Sequence, residues 1–150
     1  MIVDFRPPKP RDVRHIAANM APMDALECSI FGRTPAEGLE RSVNVSDMAV
    51  TCVIDGRPQA MLGVAALSLI DDTGSPWLLG TTELRRHARL FVTAAPPLIA
   101  AMQERYSRLT NYVHADNRVS IRWLGKLGFD FPGEVAYVGE HKLLKFTRES

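Results

Sequence analysis

The chain has 150 residues, a formal net charge of +1, 46% hydrophobic residues and 23% charged residues. These values are ordinary for a globular protein, and we expect one domain spanning residues 1–150. A net charge near zero gives no bulk electrostatic reason to bind nucleic acid or an anionic membrane. No apolar run approaches the roughly 20 residues of a membrane span. The N-terminus lacks the apolar block of a signal peptide, and two cysteines are too few for a disulfide scaffold. We therefore expect a cytoplasmic protein.

Hydrophobic periodicity and turn signals predict an α+β chain. In chain order, the predicted elements are a strand over 1–5, helices over 11–20 and 22–32, a short helix from 34, strands over 48–54 and 59–70, a loop over 71–76, a short strand over 77–79, a helix over 83–93, a second helix restarting at 96, a strand over 109–114, a helix over 117–127, and strands over 135–138 and 142–147. The restart follows from Pro96-Pro97, because two prolines cannot lie within a continuous helix. This order predicts a largely antiparallel sheet with one parallel step, where helices cross between strands.

The stretch 117–129 is the most informative part of the sequence. Asn117 is typical of a helix N-cap, because its side chain can accept a hydrogen bond from an early helix N–H. Apolar residues give the helix a broad buried side, and Gly128 suits a left-handed C-cap from which Phe129 folds back. On these grounds alone the stretch is a well-capped amphipathic helix.

The same stretch resembles the last core motif of the GCN5-related N-acetyltransferase (GNAT) fold, in which this helix lies beside acyl-coenzyme A. The motif has an Asn, a small residue three positions later, a Tyr seven after the Asn, and a closing Gly-Phe. Asn117, Ser120 and Gly128-Phe129 match this register, whereas Leu124 replaces the Tyr. In the enzymes that Tyr commonly protonates the departing coenzyme A thiolate, and leucine has no proton to give. The resemblance implies an α+β GNAT-like fold with a mixed, mostly antiparallel sheet flanked by helices.

A second hallmark of that fold is a glycine-rich loop after the fourth strand, whose backbone N–H groups bind the pyrophosphate. The corresponding segment 77–87 keeps a single glycine. If acetyl-coenzyme A binds, the resemblance assigns its contacts to Leu78, Leu79, Gly80, Thr81, Thr82, Arg85, Arg86, Asn117 and Ser120. The four histidines form no metal-binding pair, so we expect no metal site. No catalytic residue is assigned, although His114, at the end of a predicted strand, is a candidate base.

Several segments together are similar to the small GNAT-like virion-assembly family of T7-type short-tailed bacteriophages. They are 16–20 with Asp24 and Glu27, Asp55-Gly56 with Gly63-Val64, 77–81, 111–113, Asn117, and 123–129. This resemblance implies a phage protein made in the cytoplasm of the infected bacterium and associated with the virion. Its implied partners are other phage structural or assembly proteins.

Two functions stay open at this point, with a third that the sequence neither supports nor excludes. The first is a protein-binding role in virion assembly, with a degenerate acetyl-coenzyme A site. The second is an active N-acetyltransferase that moves an acetyl group from acetyl-coenzyme A to an amine. The third is the modulation of a host protein. The missing Tyr and the missing glycine-rich loop favour the first function over the second.

Overall fold

The computed structural model describes residues 1–150 and contains a single seven-stranded sheet. The elements are β1 (Val3–Arg6), α1 (Pro10–Ala18), α2 (Pro22–Ile30), α3 (Pro35–Val45), β2 (Ser46–Ile54), β3 (Arg57–Ser68), β4 (Thr73–Gly80), α4 (Thr82–Arg86), α5 (Ala88–Ala94), α6 (Pro96–Arg105), β5 (Arg108–His114), α7 (Arg118–Lys126), β6 (Val135–Val138) and β7 (His141–Glu149). The strand order is β1-β2-β3-β4-β5-β7-β6. Every neighbouring pair is antiparallel except β4 and β5, which are parallel.

Helices cover both faces of the sheet. Helices α1, α2 and α3 pack on one face, around a cluster that includes Ile16, Leu39 and Leu79. Helices α4 to α7 pack on the other face, where Phe91 and Trp123 belong to one buried cluster and several residues of α6 to another. Side chains alternate between the faces of a strand, so β4 contributes to both layers. No helix in the structure combines the length and the hydropathy that crossing a membrane requires.

The parallel strands β4 and β5 separate soon after they meet. Their pairing is confined to Thr73 with Arg108 and Gly74 with Leu109. Beyond these two pairs, Pro76 has no N–H to donate to a strand ladder. The Pro76 carbonyl accepts a hydrogen bond from the side chain of Asn111, at 2.7 Å, and not from the backbone of β5. From this point the strands diverge, because β4 stays paired with β3 and β5 with β7. The result is a wedge between β4 and β5, open towards their C-terminal ends.

The α+β fold and the parallel step are confirmed, as is the helix restart, since Pro96 is the first residue of α6. The loop predicted over 71–76 is wrong, because β4 already begins at Thr73. Glycine suits the strand at position 74, where an added Cβ would lie 2.5 Å from the Tyr106 ring. The single helix predicted over 83–93 is also wrong, because non-helical backbone at His87 divides it into α4 and α5.

Candidate functional site

A cleft of about 260 Å³ passes through the divergence of β4 and β5. On one face of the sheet it opens between α2, α3 and the side chains of Trp77 and Tyr112. On the other face its walls are apolar residues of α5, α6 and α7. The cleft therefore connects both faces of the sheet, and its lining is mostly apolar with a few polar groups, as is usual for a ligand site.

Two carboxylates of α2 accept hydrogen bonds from the ends of the two diverging strands. One oxygen of Asp24 accepts from the N–H of Gly80, at the end of β4, at 2.9 Å. One oxygen of Glu27 accepts from the N–H of His114, at the end of β5, at 3.2 Å. Residues three apart lie on the same side of a helix. One face of α2 therefore reaches both edges of the wedge.

Arg85 and Asn117 join these two carboxylates into one network. The Arg85 guanidinium lies 3.0 Å from the second oxygen of Asp24, and it also donates to the Asn117 side-chain oxygen at 3.4 Å. The Asn117 amide donates to Glu27 at 3.0 Å. The Asn117 oxygen accepts from the N–H of Ser120 and so provides the N-cap of α7, which was predicted from the sequence. The open end of the wedge is thus spanned by side chains of the protein itself.

Burial raises the pKa of both carboxyl groups of α2. For Asp24 it raises the pKa to about 6, although the Gly80 N–H and the charge of Arg85 act in the opposite direction. For Glu27 burial also raises the pKa, against hydrogen bonds from Asn117 and from the His114 N–H. Carboxyl groups with raised pKa values in a cleft are common at functional sites, because they can exchange a proton near neutral pH.

The backbone N–H groups of the segment that corresponds to the phosphate loop are already bonded within the chain. Gly80 donates to Asp24, Thr81 donates to the carbonyl of Gln59 at 2.9 Å, and Thr82 donates to the carbonyl of Asn19 at 3.1 Å. The hydroxyl of Thr81 accepts from the N–H of Leu84 and so caps α4, which is only five residues long. These groups do not fit a diphosphate, because none of the three N–H groups is free to donate to it.

The residues predicted to contact a cofactor fall into two groups. Leu78, Leu79 and Ser120 line the cleft, whereas Gly80, Thr81, Thr82, Arg85, Arg86 and Asn117 do not. The Pro76 carbonyl and the Gly80 N–H point into the wedge. Backbone groups of every second residue in a strand point to the same side, so those of Leu78 also point into the wedge. Leu79 lies opposite Met61 and directs its backbone to β3. The Arg86 side chain is 75% exposed and contacts Glu83.

Leu124, at the position of the proton-donating Tyr, lines the cleft. His114, the candidate base, does not line it, and both of its ring nitrogens have partners: one accepts from the Asp116 N–H at 3.0 Å and the other bonds His141 at 3.1 Å. No group of three or more His, Cys, Asp or Glu side chains is arranged to hold a metal ion.

Sequence reasoning missed the roles of Asp24 and Glu27. The resemblance includes both residues but gives them no role. A usable signal is present in the sequence, since helical spacing places both acidic residues on the same side of α2 as Cys28, and Asp24 and Cys28 are buried. Acidic residues are rarely buried unless they are paired.

We expect Asp24 to add about 1 kcal/mol to the free energy of unfolding when the pH falls from 7 to 5, because it takes up a proton in the folded state near pH 6 but only near 3.8 when unfolded. This contribution is complete below the unfolded pKa and is lost as the pH rises through the folded pKa. In Asp24→Asn the rise in stability should be smaller by about this amount, since only the contribution of the same sign from Glu27 remains, whereas Glu104→Gln, an exposed change on α6, should keep the full rise. Urea unfolding at several pH values measures the effect, and an equal rise in all three proteins would contradict this assignment.

No protein-family model and no curated protein matches the chain. Solved structures do match it. A GNAT-family acetyltransferase from Bacillus anthracis superposes with a TM-score of 0.73 at 10% identity, covering 98% of this chain and 94% of that one. A ribosomal-protein-alanine N-acetyltransferase from Brucella melitensis gives 0.71 at 12% identity, covering 98% and 99%. AAC(6')-Ib in complex with ribostamycin and coenzyme A gives 0.71 at 11% identity, covering 99% and 94%. Likeness at such identities establishes the fold alone: the chain has the GNAT acetyltransferase fold.

Proposed function

We propose that the chain is a GNAT-fold protein that acts by binding other proteins during assembly of a phage particle, and not by acetyl transfer. The observation that carries the proposal is the internal use of the N–H groups of Gly80, Thr81 and Thr82. A diphosphate could bind there only by breaking bonds to Asp24, Gln59 and Asn19. Asp24 and Gln59 are buried, and leaving either acceptor unsatisfied would cost about 1–3 kcal/mol.

The side chains that would complete the chemistry also support this proposal. Leu124 lines the cleft where a proton donor for the coenzyme A thiolate would stand. Arg85, a candidate phosphate ligand, is held against the buried Asp24 carboxylate. Arg86, the other candidate, points away from the cleft into solvent. The wedge is thus retained without the groups that would bind the cofactor and release it.

An apolar tip on the β3–β4 connection supports a role in protein binding. The tip consists of Leu67, near the end of β3, together with Leu69 and Ile70, and these residues are 59%, 81% and 97% exposed. Adjacent large apolar side chains at this exposure are typical of surfaces that a partner covers. The phage context and the identity of the partners rest on the resemblance of the sequence to phage assembly proteins.

Calorimetric titration tests the absence of a cofactor site. Acetyl-coenzyme A added to millimolar concentration should release no heat of binding, because the N–H groups of Gly80, Thr81 and Thr82 are occupied. The same titration with the variant Arg86→Glu tests whether any binding that occurs depends on a positive charge at this position. Arg86 is exposed, so its replacement should not disturb the fold, whereas a change at Arg85 would break a buried ion pair. Micromolar binding that Arg86→Glu weakens would overturn the proposal and favour an enzyme.

Assembly in the phage that encodes this chain tests the protein-binding role. The double variant Leu69→Asp/Ile70→Asp should fold normally, because both side chains are exposed, and should lose association with assembling particles. Tyr137→Asp is a matched control, because it removes an exposed apolar side chain from β6, remote from the tip. Co-sedimentation with particles and the titre of infectious phage measure the effect. Wild-type association of the double variant would rule out the tip as the contact.

An N-acetyltransferase is the second candidate function, and one specific observation favours it. Glu27 lines the cleft with a raised pKa, and only one of its two carboxylate oxygens is hydrogen-bonded within the chain. The free oxygen is suited to take a proton from an amine, as a general base does. In that case the backbone of Leu78 would hold the pantetheine arm in the wedge.

The variant Leu124→Tyr separates the two candidates. If the cleft admits acetyl-coenzyme A, a Tyr at this position supplies the missing proton, and general acids typically contribute 10²–10⁴-fold. Under the assembly proposal neither the wild type nor Leu124→Tyr should release coenzyme A in the presence of amines. A thiol reagent detects that release, and circular dichroism checks that the variant is folded. A rate that rises in the variant would show that the cleft admits acetyl-coenzyme A, and a rate in the wild type would establish the enzyme.

A further inference from the structure

The mouth of the cleft on the α2–α3 side carries charge of both signs. Glu27 lies within it, and Arg33 and Arg41 stand at its rim. We refer to Arg33 and Arg41 as the basic rim. Neither guanidinium of the basic rim forms an ion pair or a side-chain hydrogen bond in the structure, although Arg33 lies over the ring of Phe31, 6.0 Å from its centre. The rim is therefore free to bind an anion.

Within the cleft, Glu27 has one fixed oxygen and one open oxygen. The fixed oxygen accepts from the His114 N–H at 3.2 Å and from the Asn117 amide at 3.0 Å. The other oxygen has no partner in the chain, and no buried side-chain oxygen or nitrogen in the structure lacks a partner. The open oxygen of Glu27 is therefore accessible, and the accessible space beside it is the cleft. By contrast, both oxygens of Asp24 are engaged, by Gly80 and by Arg85.

We propose that this cleft binds a zwitterionic ligand, with a primary ammonium group on Glu27 and an anionic group on the basic rim. The rings of Trp77 and Tyr112 line the same cleft and offer apolar surface that suits an aliphatic linker. A planar guanidinium binds a carboxylate with two parallel hydrogen bonds, and hydrogen bonds between charged groups are the strong ones. The inference goes beyond the proposed function and does not depend on coenzyme A. Two sources supply this chemistry: a free amino acid, or a lysine in an acidic protein segment.

Three probes of nearly equal length separate the contributions of the two charges. They are 6-aminohexanoate, which has both charges, hexylamine, which has only the ammonium, and hexanoate, which has only the carboxylate. Binding can be followed by NMR through the indole N–H of Trp77, which lines the cleft and donates to Ser46 at 2.7 Å. We expect 6-aminohexanoate to bind about tenfold or more tightly than either single-charge probe, as expected when one charged hydrogen-bonding contact is lost.

Variants assign each charge to its partner. In Glu27→Gln, which keeps the shape of the side chain, 6-aminohexanoate should bind no better than hexanoate. In the double variant Arg33→Gln/Arg41→Gln it should bind no better than hexylamine. Arg89→Gln, an exposed arginine of α5 outside the cleft, should leave the preference unchanged. Because the Arg33 and Arg41 side chains have no hydrogen-bonding partner, this double variant tests the proposal even if Glu27→Gln fails to fold.

A peptide arm distinguishes the two sources. It compares a pentapeptide with one lysine between four glutamates, blocked at both ends, with the same peptide carrying acetyl-lysine. Binding of the lysine peptide along with 6-aminohexanoate would assign the site to a protein segment, whereas binding of 6-aminohexanoate alone would assign it to a free amino acid. Equal binding of the three small probes, or no binding by any of them at 10 mM, would overturn the inference. Neither result would affect the calorimetric test of the cofactor site.

Discussion

Two carboxylates on α2 accept hydrogen bonds from the ends of β4 and β5, two neighbouring strands that do not pair with each other at that end. The divergence of β4 and β5 leaves the N–H groups of Gly80 and His114 without ladder partners, and a buried unpaired N–H costs about 1–3 kcal/mol. Asp24 and Glu27 accept these two bonds. Burying the two acids is itself unfavourable, and the Arg85 charge and the Asn117 amide offset that cost. The shape of the wedge therefore depends on a hydrogen-bond network formed by side chains of α2, α4 and the N-cap of α7.

Because of this network, the fold does not depend on the cofactor that is usually associated with it. A wedge whose polar edges are satisfied by side chains of the same chain needs no cofactor to stabilise it. The fold therefore forms with the N–H groups of Gly80, Thr81 and Thr82 bonded within the chain and with a Leu at position 124. A diphosphate at this position would have to compete with the internal partners of the N–H groups of Gly80, Thr81 and Thr82. The presence of the wedge is consequently weak evidence for activity, whereas free N–H groups at its open end would be strong evidence.

Local signals in the sequence predicted what local interactions determine. The Asn117 cap, the proline restart at Pro96 and the hairpin at Asp55-Gly56 all depend on neighbouring residues, and the structure has each of them. The first half of β4 was missed because glycine and proline disfavour strands locally, and pairing with β3 overrides that preference. The site was missed for a similar reason. The partners of Asp24 and Glu27 lie 56 to 90 residues away, so their proximity emerges only from the sheet order.

The two carboxylates differ in the number of oxygens that are free to accept a hydrogen bond from a ligand. This difference makes the side of the wedge along β4 closed to a ligand and the side along β5 open. Asp24 has both oxygens engaged, so the edge along β4 is closed by its contacts with Gly80 and Arg85. Glu27 has one oxygen held by two donors, which fixes its orientation, and one that remains available. A group whose orientation is fixed before binding loses little conformational freedom when a ligand arrives. The β5 side of the wedge therefore offers an oriented carboxylate oxygen, whereas on the β4 side both carboxylate oxygens are engaged within the chain.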